Sequence, residues 1–176
     1  MSTALAISGS PSGESRSKRL LVRALERLER AGVSTTLVDL CDLPADDLLG
    51  RTHTSAVTRA LSLVADARIV VIGTPVYRAA YSGLLKVFFD LLPQDALADK
   101  VAIVVATGGG PAHQLAIDHA LRPLLASVGA LVVATGVYGT DSQFTPEGPQ
   151  QSLTARIDRA VAEALAISGQ FSSHTR

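Results

Sequence analysis

Five apolar runs with strand character alternate with five helical patterns, and this alternation predicts an α/β domain in which a parallel sheet is covered by helices on both faces. Two further observations support that class. The run Ile69-Val70-Val71-Ile72 is apolar without interruption, as a strand buried on both faces must be. The chain has 176 residues, 47% of them hydrophobic and 18% charged, with no internal repeat, which suits one domain with a sizeable core. The domain is expected over 1–168, with a disordered tail over 169–176.

The first strand is the apolar run Ala4-Leu5-Ala6-Ile7, and it opens into a Ser- and Gly-rich loop between Ser8 and Ser17. Leu20, Leu21, Ala24, Leu25 and Leu28 then recur at helical spacing opposite a charged face, so a helix is expected over about 15–31, stopped by Gly32. Val33 to Asp39 is rich in β-branched residues and reads as the second strand. A Pro-broken polar loop over 43–51 leads to a short amphipathic helix that ends near Asp66. The third strand covers Ala67 to Thr74, and an aromatic loop follows it to Gly83. The helix at 84–92 is apolar nearly all round, which predicts burial on two sides and so a partner subunit, although cover by the 138–149 loop would also explain it. A fourth strand (Lys100 to Thr107), a helix (Ala112 to Val128), a fifth strand (Ala130 to Val137), the polar loop 138–149 and a last helix (about Gln150 to Ala166) complete the order.

The totals exclude several function classes. Sixteen basic and sixteen acidic residues leave no net field for nucleic acid or an anionic membrane, so an anion must be caught locally. No apolar run reaches the roughly 18 residues of a membrane span, and the chain enters a strand by Thr3 with no export signal, so a cytoplasmic protein is expected. The single Cys41 permits no internal disulfide and reads as a half-buried thiol without chemistry. His53, His113, His119 and His174 are scattered without metal-ligand spacing, so no metal is expected.

In a doubly wound sheet, ligands sit beyond the carboxyl ends of the strands, and the loops after strands one, three and four all emerge there. Taken alone, the first loop is a Ser/Gly turn with a Ser N-cap. Beside the other two, its Ser10, Ser15, Arg16 and Ser17 form a donor set for a terminal phosphate at a helix N-terminus. The loop lacks Gly-x-Gly-x-x-Gly and the Gly-Lys-Ser/Thr ending of a triphosphate loop. In the second loop, Thr74, Pro75, Val76, Tyr77, Tyr81, Ser82 and Gly83 offer a flat wall for a ring. Thr107, Gly108 and Gly109 offer backbone N–H groups to a polar ring edge. Phosphate, flat ring and polar edge together describe flavin mononucleotide (FMN).

Gly9-Ser10-Pro11 with Ser15-Arg16-Ser17, Thr74-Pro75-Val76-Tyr77 with Tyr81-Ser82-Gly83 and Lys86, and Ala106-Thr107-Gly108-Gly109 resemble the flavodoxin-like NAD(P)H-dependent FMN reductases. Leu91-Leu92-Pro93, Ala112-His113, Leu121-Arg122-Pro123 and Asp141-Ser142-Gln143 are similar to the reductase component of two-component alkanesulfonate monooxygenase systems. The resemblance implies a three-layer sandwich with a five-stranded parallel sheet in the order 2-1-3-4-5. It also implies hydride transfer from NADPH or NADH to FMN with no catalytic acid or base, and delivery of reduced flavin to a partner FMN-dependent monooxygenase. In that branch a Tyr is often inserted, at a tetramer contact, in the helix after the fourth strand. This chain departs from that with His119, which resembles the methanesulfonate-type reductases; a homo-oligomer, dimer or tetramer, is expected from the apolar surplus of the 84–92 helix, and the resemblance implies the same assembly. Two other classes share parts of the pattern. Asp39 suits a Rossmann-type NAD(P) dehydrogenase, and the fold suits a flavin-binding electron carrier, although such carriers tend to be acidic and this chain is neutral.

Overall fold

The computed structural model describes residues 3–171. Four full strands, β1 (Thr3–Ser8), β2 (Ser34–Asp39), β3 (Ile69–Pro75) and β4 (Val101–Gly108), pair in parallel in the order β2-β1-β3-β4. The fifth place is shared by two short strands, β5 (Leu131–Val132) and β6 (Val137–Thr140), both parallel to β4. This is the expected 2-1-3-4-5 order, with its switch point between β1 and β3.

Strand alternation sorts the core into two layers. Along β1, Leu5 and Ile7 join one apolar cluster and Ala4 and Ala6 the other. Helices α1 (Arg16–Arg30) and α6 (Gln151–Phe171) cover the Ala4 side through Leu20, Leu21, Leu28, Leu153 and Ile157. On the other side lie α2 (Ala45–Leu48), α3 (Ser55–Asp66), α4 (Gly83–Phe89) and α5 (Arg122–Ala126). Gly73 sets the closeness of α1, because a Cβ there would lie 2.7 Å from Leu21. That close seat brings the N-terminus of α1 to the carboxyl ends of β1 and β3.

The fifth strand departs from the continuous run expected at 130–137. Ala102 pairs with Val132 and Val105 with Val137, so three steps along β4 face five on its neighbour. The two surplus residues form a bulge, and its backbone groups are satisfied by side chains. Arg122 donates to the Val133 and Ala134 carbonyls at 2.8 and 2.7 Å, and Arg156 donates to the Gly136 carbonyl. The Glu163 carboxylate accepts from the Thr135 N–H at 2.8 Å and its hydroxyl at 2.6 Å.

Other boundaries also differ. The segment 138–149, expected as loop, contains β6, a 3-10 turn at Asp141–Gln143 and a hairpin of β7 (Phe144–Thr145) and β8 (Gly148–Pro149). The helix expected from Ala112 to Val128 is three pieces: a 3-10 turn at Pro111–Gln114, a π-helical turn at Ile117–Leu121, and α5. The π turn centres on His119, and a π turn is what one residue inserted into an α-helix produces. The loop expected at 43–51 holds α2. Helix α6 continues through Phe171, so residues 169–171 of the expected tail are helical, and 172–176 lie outside the described residues, as does His174.

Candidate flavin site

The three predicted loops meet at the carboxyl edge of the sheet around a cleft of ≈ 280 Å³. Nine of the predicted residues line it: Ser10, Ser15 and Arg16 from the first loop, Pro75, Val76 and Tyr77 from the second, and Thr107, Gly108 and Gly109 from the third. Ser12 and Glu14, not singled out by sequence reasoning, line it as well.

The first loop is shaped by its own hydroxyls. Ser12 donates its N–H to the Ser10 hydroxyl at 3.1 Å, and the Ser15 hydroxyl caps α1 by accepting from the Lys18 N–H at 3.1 Å. The capped helix runs for 15 residues and has no acidic side chain in its first turn, so its N-terminal dipole is not quenched locally. Arg16 opens the helix on the cleft and forms an ion pair with Asp141.

Five predicted residues stand behind the cleft rather than on its lining, and the physical reason is that their groups are occupied or turned away. Thr74 is fully buried, accepting from the Ser82 N–H at 3.0 Å and donating to the Pro75 carbonyl at 2.9 Å. Ser82 is also buried; its hydroxyl donates to the Gly9 carbonyl and accepts from the Leu85 N–H at 3.1 Å, capping α4. Gly83 is exposed as the first residue of α4. Tyr81 is half-buried against the α4 side of the core. Ser17 is fully buried, its hydroxyl 3.3 Å from that of Ser15.

These props hold the loops to one another. Gly9 donates its N–H to Gly73 and accepts from Ser82, which ties the first loop to the second, and the Val76 N–H reaches the Thr107 carbonyl at 2.7 Å, which ties the second to the third. Beyond Val76, Tyr77 and Ala80 exchange backbone hydrogen bonds at 2.9 and 3.1 Å. The turn between them holds Arg78 and Ala79 at φ of 51° and 64°. Two adjacent left-handed residues that are not glycine cost on the order of 1–2 kcal/mol each. The turn leaves Tyr77 half exposed on the cleft wall.

Tyr138, on β6, buttresses the third loop and was missed from the sequence, where it reads as an aromatic at the start of a loop. Its hydroxyl donates to the Gly110 carbonyl at 2.7 Å, and a Cβ on Gly108 would lie 2.5 Å from that hydroxyl. A Cβ on Gly109 would meet no atom within 4 Å. Gly108 is therefore required by the protein's own packing, whereas Gly109 leaves its backbone open to approach.

Asp39 does not present a free carboxylate. Lys18 reaches it at 2.6 Å and the Cys41 thiol donates to it at 3.3 Å. Burial pushes its pKa up, but the Lys18 and Cys41 hydrogen bonds and the Lys18 charge outweigh burial and hold it low. The same carboxylate raises Lys18. Burial, with help from Asp39, pushes the Cys41 thiol up to about 11, so it stays protonated and unreactive at neutral pH. A larger cleft of ≈ 430 Å³ lies between α1 and the β7–β8 hairpin; it shares Glu14 and Ser15 with the first but has no aromatic wall and lies away from the second and third loops.

A helix N-terminus with an arginine on its first turn, an apolar wall and a glycine pair, at the switch point of a 2-1-3-4-5 sheet, defines a flavodoxin-like nucleotide-binding protein. Comparison with known proteins narrows the class: residues 2–145 match the NADPH-dependent FMN reductase family, and the chain belongs to it. It is 44% identical to an FMN reductase (NADPH) of Pseudomonas putida over 92% of this chain and 81% of that protein. It is 36% identical to the NADH-dependent FMN reductase SfnE of Pseudomonas putida, over 96% of this chain and 95% of the other. Among solved structures, the apo form of the NADH:FMN oxidoreductase EmoB superimposes with a TM-score of 0.88 at 35% identity, covering 99% of this chain and 92% of that one.

Proposed function

We propose that this protein is an NAD(P)H-dependent FMN reductase that seats the FMN phosphate on the first loop and the ring between Tyr77 and the Gly108-Gly109 backbone. The observation that carries this reading is the convergence of three cross-tied loops on one cleft, with Arg16 and the α1 N-terminus at one side and an apolar wall and bare glycine amides at the other. The donor set fits the cofactor. Arg16, the leading amides of α1 and the Ser10 and Ser12 hydroxyls suit a dianionic phosphate. Val76 and Tyr77 suit a planar apolar ring, and the open side of Gly109 admits a ring edge to its N–H.

Bound FMN supplies the hydride-accepting ring, and the reduced nicotinamide supplies the hydride. The chain's part is to position and to stabilise. The loop cross-ties fix the wall before any ligand arrives, so little ordering is left to binding. The Gly108 and Gly109 amides would hold the polar edge of the ring, where negative charge grows on reduction. No residue of the cleft is assigned as general acid or base.

The motifs shared with sulfonate-system reductases, together with the π turn at His119, support delivery of reduced flavin to a cytoplasmic FMN-dependent monooxygenase. No described helix is long and apolar enough to cross a membrane. We further assign a homo-oligomer, a dimer pairing into a tetramer, with α4 and the π turn at its contacts. Leu84, Val87, Leu91 and Leu92 are only half-buried in the single chain. The 138–149 segment meets that layer through Tyr138, while its Phe144 packs on the opposite side of the sheet.

FMN titration of the wild type, Ser10→Ala and Arg16→Ala tests the phosphate seat. Loss of a charge-assisted hydrogen bond should weaken Arg16→Ala by roughly tenfold or more, and wild-type affinity in both variants would remove the assignment.

A further inference from the structure

Arg16 is not a free cation: its guanidinium is paired with Asp141, and the two side chains are 43% and 52% exposed. Asp141 is held from behind. It follows Thr140, which pairs in the sheet with Gly108, and it opens a 3-10 turn closed by a capping box in which the Thr140 N–H donates to the Gln143 side chain at 3.0 Å. Gln150 anchors the same turn, its backbone N–H donating to the Gln143 carbonyl at 2.9 Å and its side chain to the Ser142 carbonyl at 3.1 Å. The ion pair therefore runs from the first loop to the strand edge beside Gly108, across the phosphate side of the cleft. Any anion that comes to Arg16 must share that guanidinium with a fixed carboxylate, and Glu14 places a second acidic residue on the same lining. An ion pair this exposed contributes little stability, so its use as a structural clamp is small.

We propose that Asp141 is a positioning residue that competes with the flavin phosphate for Arg16 and so shortens the stay of the flavin. The inference rests on the FMN reading above and deepens it. A reductase that must release its reduced product needs a phosphate seat that binds without trapping, and a carboxylate already engaged with the seat's one arginine provides it. Removing the negative charge frees Arg16 for the phosphate and relieves repulsion between carboxylate and phosphate, and the gain falls mainly on the off-rate.

The test is a fluorescence titration and stopped-flow release measurement with FMN and, separately, with riboflavin, on folded wild type, Asp141→Asn, Asp141→Glu, Arg16→Ala and the Arg16→Ala/Asp141→Asn double variant. Asp141→Asn is expected to bind FMN about three- to tenfold more tightly and to release it correspondingly more slowly. Asp141→Glu should return to near the wild-type value. The gain should be absent for riboflavin, which has no phosphate, and smaller in the Arg16→Ala background, where only the relief of repulsion remains. Unchanged or weaker FMN binding by Asp141→Asn would overturn the proposal, as would an equal gain for riboflavin or in the double variant. If wild-type protein binds riboflavin as tightly as FMN, the phosphate placement itself is overturned, which is a different failure from an Asp141 variant without effect.

Discussion

Gly108 and Gly109 are neighbours in the sequence with opposite reasons for being glycine. A side chain at Gly108 would collide with Tyr138 and His113, so Gly108→Ala should destabilise the fold by about 1–3 kcal/mol, measured as a lowered denaturation midpoint. Gly109 has open space where its Cβ would stand, so Gly109→Val should fold normally yet bind FMN roughly tenfold or more weakly, because the new branch occupies the ring's approach. A Gly109→Val protein with wild-type FMN affinity would remove the third loop from the site. Ser82→Ala should cost about 1–2 kcal/mol, since it removes both the α4 cap and the tie to Gly9; an unchanged unfolding free energy would show that the tie contributes nothing. At this scale the sequence showed which loops matter but not which hydroxyls face the ligand. Ser17, Thr74 and Ser82 have the same donor chemistry as Ser10, and only the folded geometry, local at Ser17 and Thr74 and long-range between Ser82 and Gly9, decides that theirs is spent inside the protein.

Among the elements, the alternation of apolar runs with amphipathic stretches placed β1 to β4 and the helices between them, because each is a local period that burial on one or two faces imposes. The split fifth strand was not legible for the opposite reason. Its bulge is held by Arg122, Arg156 and Glu163, and a carbonyl or hydroxyl partner that far along the chain leaves no periodic trace. The π turn escaped similarly, since a single inserted residue barely disturbs an apolar stripe; only the family motif around His119 marked it. The Glu163 clamp gives the bulge a pH dependence. The Thr135 hydroxyl lowers the Glu163 pKa most, burial opposes it, and the Thr135 N–H and Arg159 lower it further. A carboxyl lowered in the folded state contributes stability that is full above its unfolded pKa, about 4.3, and is lost as pH falls through the folded value. Acid unfolding of wild type should therefore be steeper below about pH 4.3 than that of Glu163→Gln, which should already be less stable at pH 7. Parallel stability profiles for the two proteins would contradict the clamp.

For the whole molecule, the half-buried stripe of Leu84, Val87, Leu91 and Leu92 and the 61% exposed Leu115 beside the π turn predict association in solution. Light scattering should give two or four times the 18.3 kDa of one chain, and a monomer at micromolar concentration would refute the assembly. The sequence suggested this surplus of apolar surface because α4 has more large side chains than one sheet face can take, and with Tyr138 of the 138–149 segment in the same layer those side chains are still only half-buried. What the molecule does with its cleft is tested most directly by the rate of NADPH and NADH oxidation, followed as loss of reduced-nicotinamide absorbance, with FMN and riboflavin compared as the flavin. The three-loop cleft with a phosphate seat at Arg16 predicts flavin-dependent oxidation of at least one nicotinamide, with kcat/KM for FMN exceeding that for riboflavin by roughly tenfold. No oxidation of either nicotinamide, or equal kcat/KM for the two flavins, would contradict it.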